Sequence, residues 1–205
     1  MASVGALALA SWAGAAEPQV TLAVRLVKLP NYEPTHVFSG HVGRVAAGEL
    51  VTVLAAVCPR TFETSVAGAS PLAGGFWEAS AVAPNTAVTY RARWEGRFSA
   101  PVKIWSAMAV EATKAGPHSV VVRIDTTEAF QNLSRKVVQL QRLDRATGRW
   151  SPYLAARLKW DASEGAFKFS TRFTGVGRDL TVRVRVPAQT AAPCFRPRVT
   201  SPIRM

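Results

Sequence analysis

Apolar and polar residues alternate with a period of two along most of the chain beyond residue 19, the spacing that puts successive side chains on opposite faces of a strand. The clearest run is Phe167 to Phe173, where Phe167, Phe169, Thr171 and Phe173 share one face and Lys168, Ser170 and Arg172 the other. The same spacing predicts strands over Val20–Lys28, Val51–Val57, Val120–Asp125 and Leu180–Pro187. Turn-forming pairs such as Pro30-Asn31, Gly74-Gly75 and Pro84-Asn85 bound such runs. One stretch carries two periods: Phe130, Leu133, Val137 and Leu140 also fall at helical spacing behind a cap at Thr126 or Thr127. Lys136–Leu143 is nevertheless read as a strand, because its counterpart in an internal repeat alternates plainly.

That repeat divides the chain in two. Thr89-Tyr90-Arg91-Ala92-Arg93-Trp94 returns 92 positions later as Thr181-Val182-Arg183-Val184-Arg185-Val186, with Arg91, Arg93, Arg183 and Arg185 on the polar face. Upstream, Phe76 corresponds to Phe167 at an offset of 91, and Val51-Thr52-Val53 to Val138-Gln139-Leu140 at 87. Offsets that drift by a few residues are what loop insertions between matched strands produce. The expected fold is therefore all-β, with two tandem antiparallel β-sandwich domains over 17–105 and 106–205.

The series Gly48-Glu49-Leu50-Val51-Thr52-Val53, Gly74-Gly75-Phe76-Trp77 and Thr89–Trp94 resembles the strand series of bacterial immunoglobulin-like or fibronectin type III-like modules of secreted proteins. The second copy, Val137–Arg142, Gly148-Arg149-Trp150 and Leu180–Val184, is similar to the same pattern. The resemblance spans roughly residues 20 to 200 and implies a tandem extracellular β-sandwich serving as a spacer, adhesive or recognition unit. It carries over no catalytic residue.

Composition narrows the partners. Lys and Arg total 25 against 13 Asp and Glu, a net charge of +12, so an electrostatic partner is an anionic surface or polymer. The second domain is expected to end in a basic tail containing Arg196, Arg198 and Arg204. Residues 2 to 16 carry no charge and end at Glu17-Pro18; the run is too short to span a bilayer and offers small-x-small cleavage patterns at Ala13 and Ala15 or at Gly14 and Ala16. It lacks the usual preceding basic residues, so residues 1–16 read as a shortened secretory signal peptide. No integral membrane span is expected, and localisation is expected to be secreted, extracellular or at the cell envelope.

Candidate chemistry is sparse. The chain has neither a G-x-S-x-G elbow nor a phosphate-binding glycine loop, and a nucleophile would have to rely on His36, His41 or His118. Cys58 with His41 is the least implausible pair, although a packed or paired cysteine is the simpler reading. His36 and His41, five residues apart, point to opposite faces of a continuous strand, and Asp125, Asp144, Asp161 and Asp179 are scattered, so neither a metal site nor a cofactor is expected. Asp161 and Glu164 have the residue types of a glycosidase pair but sit in a turn, WDASEG. Cys58 and Cys194 leave two alternatives open, a long-range disulfide or two buried or free thiols.

Among the tryptophans, Trp77, Trp94 and Trp150 fit core positions and Trp12 lies in the leader; Trp105, at the junction, is expected to pack between the modules and Trp160 to cap a sandwich end. The motifs of nucleic-acid readers are missing. The chain is thus expected to be a non-enzymatic structural or adhesive protein, with an anionic cell-wall polymer, a polysaccharide or an envelope protein as its partner. In the competing reading, a carbohydrate- or wall-polymer-binding module, Trp105, Trp160 and the Arg rows would form one open surface. Nothing in the pattern specifies a ligand or an oligomeric state.

Overall fold

The structure, a computed structural model, describes residues 20–205 except 44, 46, 47, 164 and 166. The leader segment and Glu164 lie outside the described residues. The fold is all-β and its sheets are antiparallel, apart from one short parallel pair.

The first part of the chain contributes β1 (Ala23–Val27), β2 (Thr35–His41), β3 (Val51–Val57), β4 (Thr64–Ala69), β5 (Phe76–Val82), β6 (Val88–Trp94), β7 (Arg97–Phe98) and β8 (Val102–Ile104). One sheet has the order β1-β2-β5; the other has β4-β3-β6, with β7 and β8 both paired to β6. Phe38 and Trp77 from the first sheet meet Val51, Val53, Tyr90, Ala92 and Trp94 from the second in one buried cluster. Alternation does this: β6 reads Val88, Tyr90, Ala92 and Trp94 inward, with Thr89, Arg91 and Arg93 outward. Truncating Trp77 or Trp94, which are 0% and 2% exposed, to Ala would cost about 3–5 kcal/mol.

The second part contributes β9 (Ser106–Ala107), β10 (Ala109–Gly116), β11 (Ser119–Asp125), β12 (Val137–Leu143), β13 (Trp150–Arg157), β14 (Lys159–Trp160), β15 (Lys168–Phe173), β16 (Thr181–Val186), helix α1 (Ala188–Ala191), β17 (Phe195–Arg196), β18 (Arg198–Val199) and β19 (Ile203–Arg204). Its sheets are β10-β11-β15-β14 and β13-β12-β16, the latter closed by β18 and β19 on β16. Val120, Val122, Ile124, Phe169 and Phe173 pack against Val138, Leu140, Val182, Val184 and Val186 in a second cluster. The Lys136–Leu143 stretch is a strand, β12, preceded by a short 3-10 turn at Thr127–Ala129.

Backbone pairing repeats the sequence repeat residue for residue. Thr52, Val53 and Leu54 pair with Arg93, Ala92 and Arg91; their counterparts Gln139, Leu140 and Gln141 pair with Arg185, Val184 and Arg183. The register shift between Val53 and Leu54 on the β4 side recurs between Leu140 and Gln141 on the β13 side. One correspondence needs correction. Trp77 and Phe169 are the matched inward residues, at an offset of 92, rather than Phe76 and Phe167. Phe167 precedes β15 with φ of 59°, so the alternation does not extend to it.

The copies differ most between their last strands. β6 turns into β7 through Glu95 and Gly96, both at positive φ (48° and 73°), which is the two-residue hairpin connection that matches strand twist. Between β16 and β18 residues 187–197 intervene, carrying α1, Cys194 and β17. This insertion reaches the first part of the chain. Cys194 is disulfide-bonded to Cys58, with Cα atoms 5.4 Å apart, and Ala87 N–H donates to the Cys194 carbonyl at 2.9 Å; within the second part, β17 pairs in parallel with β9. The expected basic tail is thereby replaced: Arg196, Arg198 and Arg204 lie in β17, β18 and β19.

Candidate functional site: a basic hollow and an aromatic edge

The outward face of the sheet containing β15 concentrates cations. Inward Phe169 and Phe173 leave Lys168, Ser170 and Arg172 outside, and inward Val120, Val122 and Ile124 on β11 leave Val121, Arg123 and Asp125 outside. The register then sets Arg123 beside Ser170, Val121 beside Arg172 and Lys159 of β14 beside Ser170 on its other flank. Arg123, Arg157, Lys159 and Arg172 thus line a hollow of about 600 Å³ with Asp161 at its border. A second hollow of about 460 Å³ shares Arg123 and Asp161 and adds Lys168 and Arg198, with Met108, Ile124 and Phe169 in its wall.

Two of the carboxylates here, Asp161 and Asp125, are already held. Asp161 Oδ1 accepts the Ser163 hydroxyl at 2.7 Å, and bonds from Ser163 and Ser170, aided by the Arg123 charge, keep its pKa below the ordinary carboxylate range. Burial pushes Asp125 upward, but the Thr127 hydroxyl and amide, with Lys168 nearby, outweigh it and leave its pKa lowered. Both stay ionised at neutral pH. Among the described residues no carboxylate lies within ion-pair distance of Arg157, Lys159 or Arg172.

On the other side of the same edge strand the surface turns aromatic. Trp160, 60% exposed, lines a groove of about 300 Å³ with Asn132, Ser134, Phe167 and Phe169. Phe130, 56% exposed, packs edge-on against Phe167 at 5.3 Å. Phe130 and Phe167 both have positive φ, 48° and 59°, a conformation that costs a bulky residue on the order of 1–3 kcal/mol. Hydrogen bonds hold this loop: the Thr126 hydroxyl, 2.7 and 3.0 Å from the Gln131 and Phe167 carbonyls, shares its one proton between them, Thr126 N–H donates to the Phe167 carbonyl at 3.1 Å, and Gln131 Nε2 donates to the Ala192 carbonyl at 2.8 Å.

The four arginines singled out from the repeat stand on equivalent outer faces, two in each copy. Arg91 is half-buried with Nε 3.8 Å from Glu63, and Arg183 donates Nε–H to Gln141 at 2.9 Å while lying 4.2 Å above the Trp150 ring. Arg93 and Arg185 are exposed. Trp150 therefore supports an outer-face arginine and is not a core residue. Trp105 is half-buried beneath the Lys103 ammonium, 3.9 Å from its ring. His36 is buried and His41 exposed, so the two do not converge, and Cys58 is in the disulfide.

The basic hollow was only half-visible beforehand. Alternation places Lys168, Ser170 and Arg172 outward, but Arg123 and Lys159 join them only through strand pairings, and Arg157 only through the approach of β13 from the other sheet, none of which β-strand spacing specifies. Among the described residues no group of three or more His, Cys, Asp or Glu could hold a metal ion, and no helix is long and apolar enough to cross a membrane. The chain matches no family model and no curated protein.

Proposed function

We propose that this is a non-enzymatic, exported recognition or adhesive protein of the cell envelope or extracellular space, built of two immunoglobulin-like modules and attached through the second module to an anionic polymer. The observation that carries the reading is the hollow lined by Arg123, Arg157, Lys159 and Arg172, in which Asp161, hydrogen-bonded, is the one carboxylate among the described lining residues. A concave set of cations of this kind concentrates a polyanion. The duplicated three-strand and closing-strand sheets, with matched registers, support tandem immunoglobulin-like modules. The Cys58–Cys194 bond suits an oxidising compartment.

Retention of the chain from Glu17 onward on an anionic resin or purified wall polymer, across a salt series, tests the reading. Binding should fall steeply between 0.1 M and 1 M salt, as the screening length shortens from about 10 Å to about 3 Å. Replacing Arg157, Lys159 and Arg172 by Ser should remove most of it. The alternative surface, Arg91, Arg93, Arg183 and Arg185, is tested by the corresponding Ser variant, which should retain more. If both variants elute with the wild type, neither surface is the contact and the attachment reading fails.

A further inference from the structure

The basic hollow and the aromatic groove are separated by one strand edge, β14, whose two residues point to opposite faces: Lys159 toward the cations and Trp160 toward the groove. We propose that this edge binds a glycan whose rings carry acidic groups, with one sugar ring laid on Trp160 and the acidic substituent of a neighbouring ring, carried over the strand edge, in the hollow. The proposal rests on the anionic-polymer reading above and narrows it to a chemical class.

Three features of the edge point to a sugar. Trp160 is 60% exposed, and an open aromatic face beside hydrogen-bonding groups is what ring recognition requires. Asn132 and Ser134 border the groove and carry such groups: Asn132 Oδ1 accepts the Ser134 amide at 2.8 Å, and the Asn132 NH2 and the Ser134 hydroxyl are the donors a sugar would use. The wall is also pre-shaped, because Thr126 holds the Phe167 carbonyl and Phe130 braces the Phe167 ring.

The acidic substituent follows from Arg157, Lys159 and Arg172 at the other face of the same two-residue strand. Arg guanidinium groups match carboxylate and sulfate geometry through paired N–H donors. Single-stranded nucleic acid, whose platforms stack successive bases on several aromatics along a basic track, is the competing occupant, and the oligonucleotide below tests it.

The test is isothermal titration of the oxidised full chain at 0.15 M salt with five probes: a galacturonic acid hexamer, a sulfated galactose hexamer, a neutral galactose hexamer, a polyphosphate of matched charge and a thymidine oligonucleotide. At least one acidic hexamer should bind about tenfold or more tighter than the neutral hexamer and the polyphosphate, and comparing the two acidic hexamers identifies the preferred acid. Trp160→Ala should weaken the acidic hexamer roughly three- to tenfold, leave polyphosphate binding unchanged and leave the thermal midpoint in place. Trp160→Phe should restore most of the loss. Arg172→Ser with Lys159→Ser should weaken both the hexamer and the polyphosphate. Equal affinity for hexamer and polyphosphate, or no effect of Trp160→Ala on the hexamer, overturns the glycan site while the anionic-polymer reading stands. Tighter binding of the oligonucleotide overturns the glycan assignment. Failure of every anionic probe overturns both readings.

Discussion

His36 puts an ionisable ring inside the first core. It is 3% exposed, its Nδ1 is 2.8 Å from Tyr90 Oη, and its ring meets Tyr90 edge-on at 5.4 Å. Burial lowers the His36 pKa below its ordinary value and raises that of Tyr90, so both stay neutral in the folded protein. The unfolded chain binds a proton on this histidine near pH 6.5, whereas the folded one does so only at lower pH. The stabilisation from neutral His36 is therefore complete above about pH 6.5 and is lost as pH falls from there toward the lowered folded value. Thermal midpoints measured from pH 8 to pH 5 should drop more steeply for the wild type than for His36→Gln, which cannot charge. Parallel curves would show that His36 does not contribute to the acid sensitivity. Its burial was legible only in part: spacing separated it from His41, but Tyr90 joins it through a sheet packing that no local pattern encodes.

Strands were the most legible elements, because period-two alternation directly reports which face is buried. The β6 and β16 pattern, the strand nature of Lys136–Leu143 and the inward placement of Trp77 and Trp94 all followed from it. It misled at Phe167, where a left-handed residue ends the alternation one position early, and a one-residue slip reverses the face. It also hid a further repeat. Ser99-Ala100-Pro101 and Thr200-Ser201-Pro202 match at an offset of 101, beyond the insertion that displaces the earlier offset of 92.

These segments do the same work. Ser99 N–H donates to the Ala92 carbonyl at 2.9 Å and its hydroxyl accepts the Ala92 amide at 3.0 Å; Thr200 makes the same two bonds with Val184 at 2.9 and 3.0 Å. The hydroxyl takes the place of a strand carbonyl just before a proline that cannot donate. Ser99→Ala and Thr200→Val should each cost about 1–3 kcal/mol in urea unfolding, since each leaves a buried amide without its acceptor, and Thr200→Ser should cost little. The basic hollow escaped detection for a related reason: its members come from β11, β13, β14 and β15, and sequence alternation orients each strand without saying which strands are neighbours.

At the scale of the molecule, the insertion 187–197 fastens the two halves. Besides the disulfide, Ala87 N–H donates to the Cys194 carbonyl at 2.9 Å and Ser106 Oγ donates to the Thr86 carbonyl at 3.1 Å across the halves, while the β9–β17 pair and the bond from Thr190 Oγ1 to the Val137 carbonyl at 2.7 Å anchor the insertion to its own half. Paired cysteine types were visible in the sequence, but their approach depended on a loop whose path was not. Replacing Cys58 and Cys194 together by Ser should lower the urea midpoint by an amount corresponding to roughly 3–5 kcal/mol, the chain-entropy contribution expected for a closed loop of this length. A midpoint unchanged from that of the oxidised wild type would show that the surrounding hydrogen bonds and packing alone hold the halves.

The bond also fixes how the chain responds to a pull on its ends. Cys58 and Cys194 are 136 residues apart in sequence, so tension entering at either end crosses from one sulfur to the other and bypasses everything between. At about 3.3–3.6 Å per extended residue, roughly 450–490 Å of contour is withheld from extension while the bond is intact. The candidate glycan edge, the basic hollow and most of the second core, though not Phe195, lie within the bypassed stretch. Under load the flanks can unravel while the recognition surface stays folded, and a reductant converts the same protein from a short tether into a long one.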